Sequence, residues 1–179
     1  VGLLLRRKRE NFGRSIHPDP KCMERFFANL PFSLTPSQKR AVEKIEEDLR
    51  APYPMLRLLQ GDVGSGKTVV AAAACAMVAS AGAQAAVMAP TEILAEQHYH
   101  VFRELLRPLS VEVALLSGGL SRREREELLS RIAEGKVQVV IGTHALIEED
   151  VEFRDLALAV IDEQHRFGVI QRAALEKKG

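Results

Sequence analysis

Gly61, Gly66, Lys67 and Thr68 stand in the spacing G-x-x-x-x-G-K-[ST] within the stretch "LRLLQGDVGSGKTVVAAAACAMV". That pattern can hold phosphate. Small residues let successive backbone N–H groups curl inward, and a helix that starts at the Lys-Thr pair adds its positive N-terminal end. In such a loop Gly61, Asp62, Val63, Gly64, Ser65, Gly66, Lys67 and Thr68 wrap the phosphates of a nucleotide. Lys67 would reach the β- and γ-phosphates and take part in catalysis, and the Thr68 hydroxyl would bind Mg²⁺. A ligand-free Gly-rich turn is the simpler alternative, but three glycines, the Lys-Thr pair and the flanking strand and helix together argue against it.

A second group lies at "LALAVIDEQHRFG", where an apolar run ends in Asp162 and Glu163. Two carboxylates at the C-terminal edge of a sheet stand where open α/β sheets bind their ligands. Asp162 suits the Mg²⁺ side of the nucleotide, and Glu163 could polarise an attacking water. Adjacent carboxylates favour hydrolysis over transfer to a hydroxyl acceptor, and the chain has no Arg-rich pattern that would form a kinase lid. His98 and His100 lie in a helical pattern that turns their rings about 200° apart, so a zinc site is not expected.

Parallel strands joined by helices must position these residues. Strand-length apolar runs at 55–59, 85–89, 111–116, 137–141 and 156–161 alternate with helical patterns, and runs without polar alternation indicate a sheet covered on both faces. Ile93, Leu94, Val101, Phe102, Leu105 and Leu106 recur at helical spacing, and a shorter helix begins near Ser121 with Glu127 and Arg131 spaced for a surface pair. Thr35-Pro36-Ser37-Gln38 reads as a capping box that starts a helix through Val42, Ile45 and Leu49. Thr91 is placed to cap the helix of Ile93 and Leu94. Residues 11–33, with Pro18, Pro20 and Pro31, read as a linker into a domain that begins near Phe32.

The 179 residues give room for one domain, and the balance of 46% hydrophobic to 27% charged residues is that of a soluble globular chain. The longest uncharged run is mostly alanine, broken by Ser80, Gly82 and Gln84, which excludes a membrane-spanning helix there. A net charge of +1 makes the whole chain no strong attractor of nucleic acid, although residues 1–30 carry seven basic against three acidic side chains. Cys22 and Cys75 have neither metal-ligand nor redox spacing and fit structural thiols in a reducing compartment. An opening at Val1 and an apolar run that comes before "RRKRE" exclude a secretory signal and suggest a piece of a longer protein.

The "GDVGSGKT" loop followed by "DEQH" at Asp162, Glu163, Gln164 and His165 resembles the superfamily 2 helicases. The strings "APTEILAEQH", "GTHALI" and "VIDEQHRFGV" look like the RecG family of branch-migrating DNA helicases, and the resemblance covers nearly all of the chain. It implies an α/β P-loop NTPase domain of RecA-like type, a parallel sheet flanked by helices that ends before the motif III strand. Residues 1–31, including "LLLRRKREN", would be a linker helix and extended linker, and 32–179 the N-terminal part of a first motor domain. The cofactors would be ATP and Mg²⁺, with Gln38 reading adenine and Gln164 and His165 coupling the nucleotide to a neighbouring domain. Pro90, Thr91, Thr143 and His144 would meet the DNA backbone at element starts, where a phosphate can be received.

By the same resemblance the partners are branched double-stranded DNA, a wedge domain and a second RecA-like domain, in the bacterial cytoplasm and with no membrane. Transcription-coupled repair translocases share similar motifs, and Ser65 and Gln164 favour the RecG type. In that type the motif III strand lies between the phosphate-loop strand and the Asp162 strand. Its loss should leave a gap or unpaired edges there. Without the second domain's arginine finger, the chain alone should bind nucleotide weakly and act at most as a nucleotide-binding module with little turnover.

Overall fold

Strand β1 (Gly2–Arg7) comes first, followed by helices α1 (Pro20–Ala28) and α2 (Pro36–Arg50). Then come β2 (Leu56–Gln60), α3 (Lys67–Ser80), β3 (Gln84–Met88), α4 (Glu92–Leu106), β4 (Val113–Leu116), α5 (Arg122–Ala133), β5 (Val139–Gly142) and β6 (Leu156–Asp162). The computed structural model describes residues 15–51 and 66–162 in full and residues 2–7 and 56–60 by their backbone.

Local chemistry explains most of the helix starts. Thr35 and Gln38 form a reciprocal capping box: Gln38 N–H donates to Thr35 Oγ1 at 3.2 Å and Thr35 N–H donates to Gln38 Oε1 at 2.8 Å. Pro36 then supplies a ready-made first helical residue, and α2 buries Val42, Ile45 and Leu49 along one stripe. Ser121 and Glu124 make the same box for α5, while Asp19 caps α1 and Thr91 caps α4. Helix α3 differs, because every residue from Val69 to Val78 is buried. A helix that is apolar all round belongs in the interior, and α3 is packed between the sheet and the neighbouring helices α1, α2 and α4.

The strand order is β2-β1-β6-β3-β5-β4. Strands β6, β3, β5 and β4 are parallel, with Met88 opposite Ile161 and Gly142, and Leu116 opposite Gly142. Helices cover both faces. One core layer joins α1 to α4 to the sheet, and a second places Ile132 of α5 with Met88, Leu116, Val140 and Ile161 on the other face. Buried Gln84 fastens the start of β3. Its Nε2 donates to the Ile132 and Val137 carbonyls, each at 2.9 Å, and its Oε1 accepts from Asp155 N–H at 2.9 Å.

Four expectations are corrected. No gap separates β2 from β6, because β1 lies between them, antiparallel to both, with Leu4 opposite Leu58 on one side and Ile161 on the other. The expected linker helix is therefore a strand over residues 2–7. Two strands one slot apart each present unpaired N–H and C=O groups, and an extended Leu-rich segment satisfies both rows, which outweighs the helical propensity of Leu and Arg.

The linker expected over 11–33 contains α1, whose Met23 and Phe26 are buried in the core with α3. Ile16 N–H also donates to the Leu49 carbonyl at 2.7 Å, and Asp19 N–H to Ser80 Oγ at 3.0 Å. Finally, Glu127 pairs with Arg123 at 3.1 Å, and Arg131 reaches Glu112 at 3.3 Å, so the two do not pair with each other. Such exposed pairs differ by only about 0–1 kcal/mol, so small differences in side-chain reach decide between them.

Candidate nucleotide site

The turn before α3 is built on Gly66, which takes φ +85°, a left-handed conformation that favours glycine. A Cβ at this position would also overlap Gln38 Nε2. Gly66 is the N-cap of α3 and makes no side-chain capping bond, and the first turn of α3 carries Lys67 and Thr68 with no acidic residue. The other α-helices have a side-chain cap. Gly66 is thus the one α-helix N-cap among the described residues without a side-chain bond to its helix, and the positive N-terminal end of α3 suits an anion. Lys67 and Thr68 are both half-buried, within reach of such a group. Residues 61–65, the rest of the phosphate-loop motif, lie outside the described residues.

Gln38 belongs to this turn as well as to its own helix. While its Oε1 holds the capping box, its Nε2 donates to the Gly66 carbonyl at 3.4 Å. The residue expected to read adenine is therefore tied to the start of α3, and a base contact requires it to exchange one of these partners.

Asp162 ends β6 and is fully buried. Leu3 stands opposite both Leu59 and Asp162. Asp162 is therefore level with the C-terminal end of β2, two strand spacings or about 10 Å away across the sheet. The chain passes from that end of β2 into the turn that opens α3, so Lys67, Thr68 and Asp162 share one sheet edge. Glu163, Gln164 and His165 lie outside the described residues.

A buried carboxylate needs a partner, and Asp162 Oδ2 accepts from His98 Nε2 of α4 at 2.8 Å. An ionised carboxylate can only accept, so the bond requires the His98 tautomer, or charge state, with a proton on Nε2. Separated from Asp162 by 64 positions, His98 gives no local signal of this role. The two histidines that invite a zinc reading diverge: His98 turns inward to Asp162, while His100 is exposed beside Glu96 at 3.9 Å.

The same edge carries the residues expected to meet DNA. Pro90 is half-buried and Thr91 is exposed, its hydroxyl accepting from Leu94 N–H at 3.2 Å as the cap of α4. Beyond β5, Thr143 is only 3% exposed and makes no capping bond, and residues His144–Ile147 form a single 3-10 turn. The expected helix start there is corrected on this point. Close packing at the end of β5 leaves His144 exposed and closes off the Thr143 side chain.

The thiols stand apart from this edge in their chemistry. Burial pushes the Cys75 thiol far above its ordinary pKa, and Cys22 is raised too, first by burial and then by Asp19, with Arg25 opposing.

The family model for DEAD/DEAH box helicases matches residues 35–178. The chain belongs to the DEAD/DEAH box helicase family. Among the relatives of this helicase domain, the ATP-dependent DNA helicase RecG of Haemophilus influenzae is 54% identical over 164 residues, covering 92% of this chain and 24% of its own length. RecG of Thermotoga maritima is 51% identical over 178 residues, covering 98% of this chain and 23% of that protein. A solved structure of RecG bound to a three-way DNA junction superposes with a TM-score of 0.78 at 48% identity, covering 89% of this chain and 22% of that one. S. cerevisiae dbp5 has the same fold, with a TM-score of 0.50 at 16% identity over 89% of this chain and 50% of its own. The chain spans about a quarter of the length of these RecG relatives.

Proposed function

We propose that this chain is the nucleotide-binding part of an ATP-dependent DNA helicase of RecG type, whose full-length protein remodels branched duplex DNA such as stalled forks and Holliday junctions. The observation that carries the reading is the common edge shared by the Gly66-Lys67-Thr68 start of α3 and the buried Asp162. The family match and the RecG relatives at about half identity support it.

In this reading the N–H groups at the start of α3 bind the β- and γ-phosphates, and Lys67 adds a mobile positive charge. Thr68 and Asp162 would hold Mg²⁺, which when bound supplies charge neutralisation on the phosphates. The donor set fits a hard cation: a hydroxyl and a carboxylate, the latter hydrogen-bonded to His98. Glu163, next after Asp162 in sequence, would take the proton from the attacking water, and Gln38 would turn from Gly66 toward adenine. Gln164 and His165 would relay the nucleotide state to the second RecA-like domain, while Pro90, Thr91, His144 and the backbone at Thr143 meet the DNA backbone. A wedge domain elsewhere in the full-length protein would engage the branch point. The relatives are bacterial and, among the described residues, no helix is long and apolar enough to cross a membrane; the site of action we propose is the bacterial cytoplasm.

Lys67→Ala in the full-length protein tests this. DNA-stimulated ATP hydrolysis should fall by about 10²–10³, the range for loss of one preorganised charge-stabilising donor. Unchanged hydrolysis would remove Lys67 from the site.

A further inference from the structure

We propose that His98 is a positioning residue for Asp162: it fixes the orientation of the carboxylate that faces the nucleotide's metal ion, from a helix that begins at the DNA-facing Thr91. The inference deepens the nucleotide reading and rests on it.

The geometry is specific. Asp162 is fully buried, and the His98 side chain is 12% exposed, so the 2.8 Å bond between them is shielded from water. The imidazole cannot easily swing away. Its edge packs against the Phe102 ring at 6.2 Å and 71°, and Phe102 is itself 1% exposed in the core. A histidine held on one side by an aromatic core residue and on the other by a carboxylate has its rotamer and its proton-bearing nitrogen set together. Groups of this kind, one shell out from a metal, orient the ligand rather than touch the ion.

Helix periodicity adds a second consequence. His98 lies seven residues after the Thr91 cap, close to two full turns, so the two stand on nearly the same face of α4. One rigid element therefore holds both a surface cap at the expected DNA edge and the grip on the metal-side aspartate. A purely structural role, neutralising a buried charge, would require the bond but would give it no influence on how metal and nucleotide bind together.

The test measures ADP binding to the full-length protein across a Mg²⁺ titration for wild type, His98→Leu and His98→Gln, with melting curves as the folding control. His98→Leu should raise the Mg²⁺ concentration for half-maximal metal-dependent binding about 10- to 100-fold, the usual range for loss of a group that orients a metal ligand. Metal-free ADP affinity should stay unchanged. His98→Gln keeps an N–H donor at a similar reach and should recover most of the loss.

An unshifted Mg²⁺ midpoint in a folded His98→Leu protein overturns the proposal, as does an equal loss with and without Mg²⁺. Where His98→Leu does not fold, His98→Gln is compared with His98→Asn, which is too short to reach Asp162; equal midpoints for the two overturn it. Lys67→Ala separates the levels. If wild-type ADP binding ignores both Mg²⁺ and Lys67, the nucleotide reading fails and the role of His98 with it. If Lys67 matters and His98 does not, only the present inference fails.

Discussion

Gly66 shows how much one residue without a side chain can carry. It takes a left-handed backbone, starts α3, and leaves the space that Gln38 Nε2 occupies. Gly66→Ala forces both a strained φ and a collision with Gln38, which must then give up the Gly66 carbonyl or its capping box. Urea unfolding should register a loss of about 1–3 kcal/mol, the cost of a side chain in that conformation together with displacement of a neighbour. A stability equal to wild type would mean that the turn relaxes to another backbone.

Cys75 makes the opposite kind of residue-scale prediction, one of pH. Its thiol is held protonated by burial and has a folded-state pKa raised above the ordinary value of 9.0. The folded state then binds the proton more tightly than the unfolded state. Stability from this group is complete below that ordinary value and is lost as pH rises above it. Unfolding midpoints should therefore fall on the alkaline side of pH 9 less steeply in Cys75→Ala than in wild type. Parallel slopes in the two proteins would assign the alkaline loss to other groups.

At the scale of elements, what was legible in the sequence was what local chemistry determines. The capping boxes at Thr35–Gln38 and Ser121–Glu124 are complete within four residues, and both helices start where they stand. The strands carrying Ala85, Val139 and Leu156 lie within two residues of their apolar runs. The phosphate-loop pattern likewise identified the Gly66-Lys67-Thr68 turn and its helix. Contacts between distant segments were not legible. Nothing near His98 marks it as the partner of Asp162, and Gln84 reads as a polar interruption until its three hydrogen bonds to backbone groups are seen. Strand β1 is the clearest case, because its state depends on a vacant slot between two other strands rather than on its own residues.

That dependence can be measured. Amide exchange at Leu3, Leu4 and Leu5 should be slow and should track the exchange of Leu58 and Ile161, the partners of Leu4. Leu4→Pro removes a ladder donor from the middle of the strand and should speed exchange on both sides. Fast exchange at all three leucines in the unmodified chain would mean that β1 does not hold the slot in solution.

At the scale of the whole molecule, the chain spans about a quarter of the length of its relatives, and in the proposed reading it supplies one side of a nucleotide site. In that reading the α3 start and the buried Asp162, hydrogen-bonded to His98, are both supplied within it. Acceleration of hydrolysis asks for more. Charge developing on the γ-phosphate is stabilised in related enzymes by an arginine brought in from another unit, an effect that reaches about 10³–10⁵ in rate.

Affinity and turnover should consequently separate. Calorimetric titration of Mg-ADP and Mg-ATP into the 179-residue chain should detect binding that disappears in Lys67→Ala. Its ATP hydrolysis should lie at least about 10³ below that of the full-length protein on branched DNA. Binding without turnover would locate recognition in this chain and catalysis at the junction with the second domain. Absence of binding by a folded chain would instead mean that the α3 start becomes a phosphate site only when that second domain closes over it.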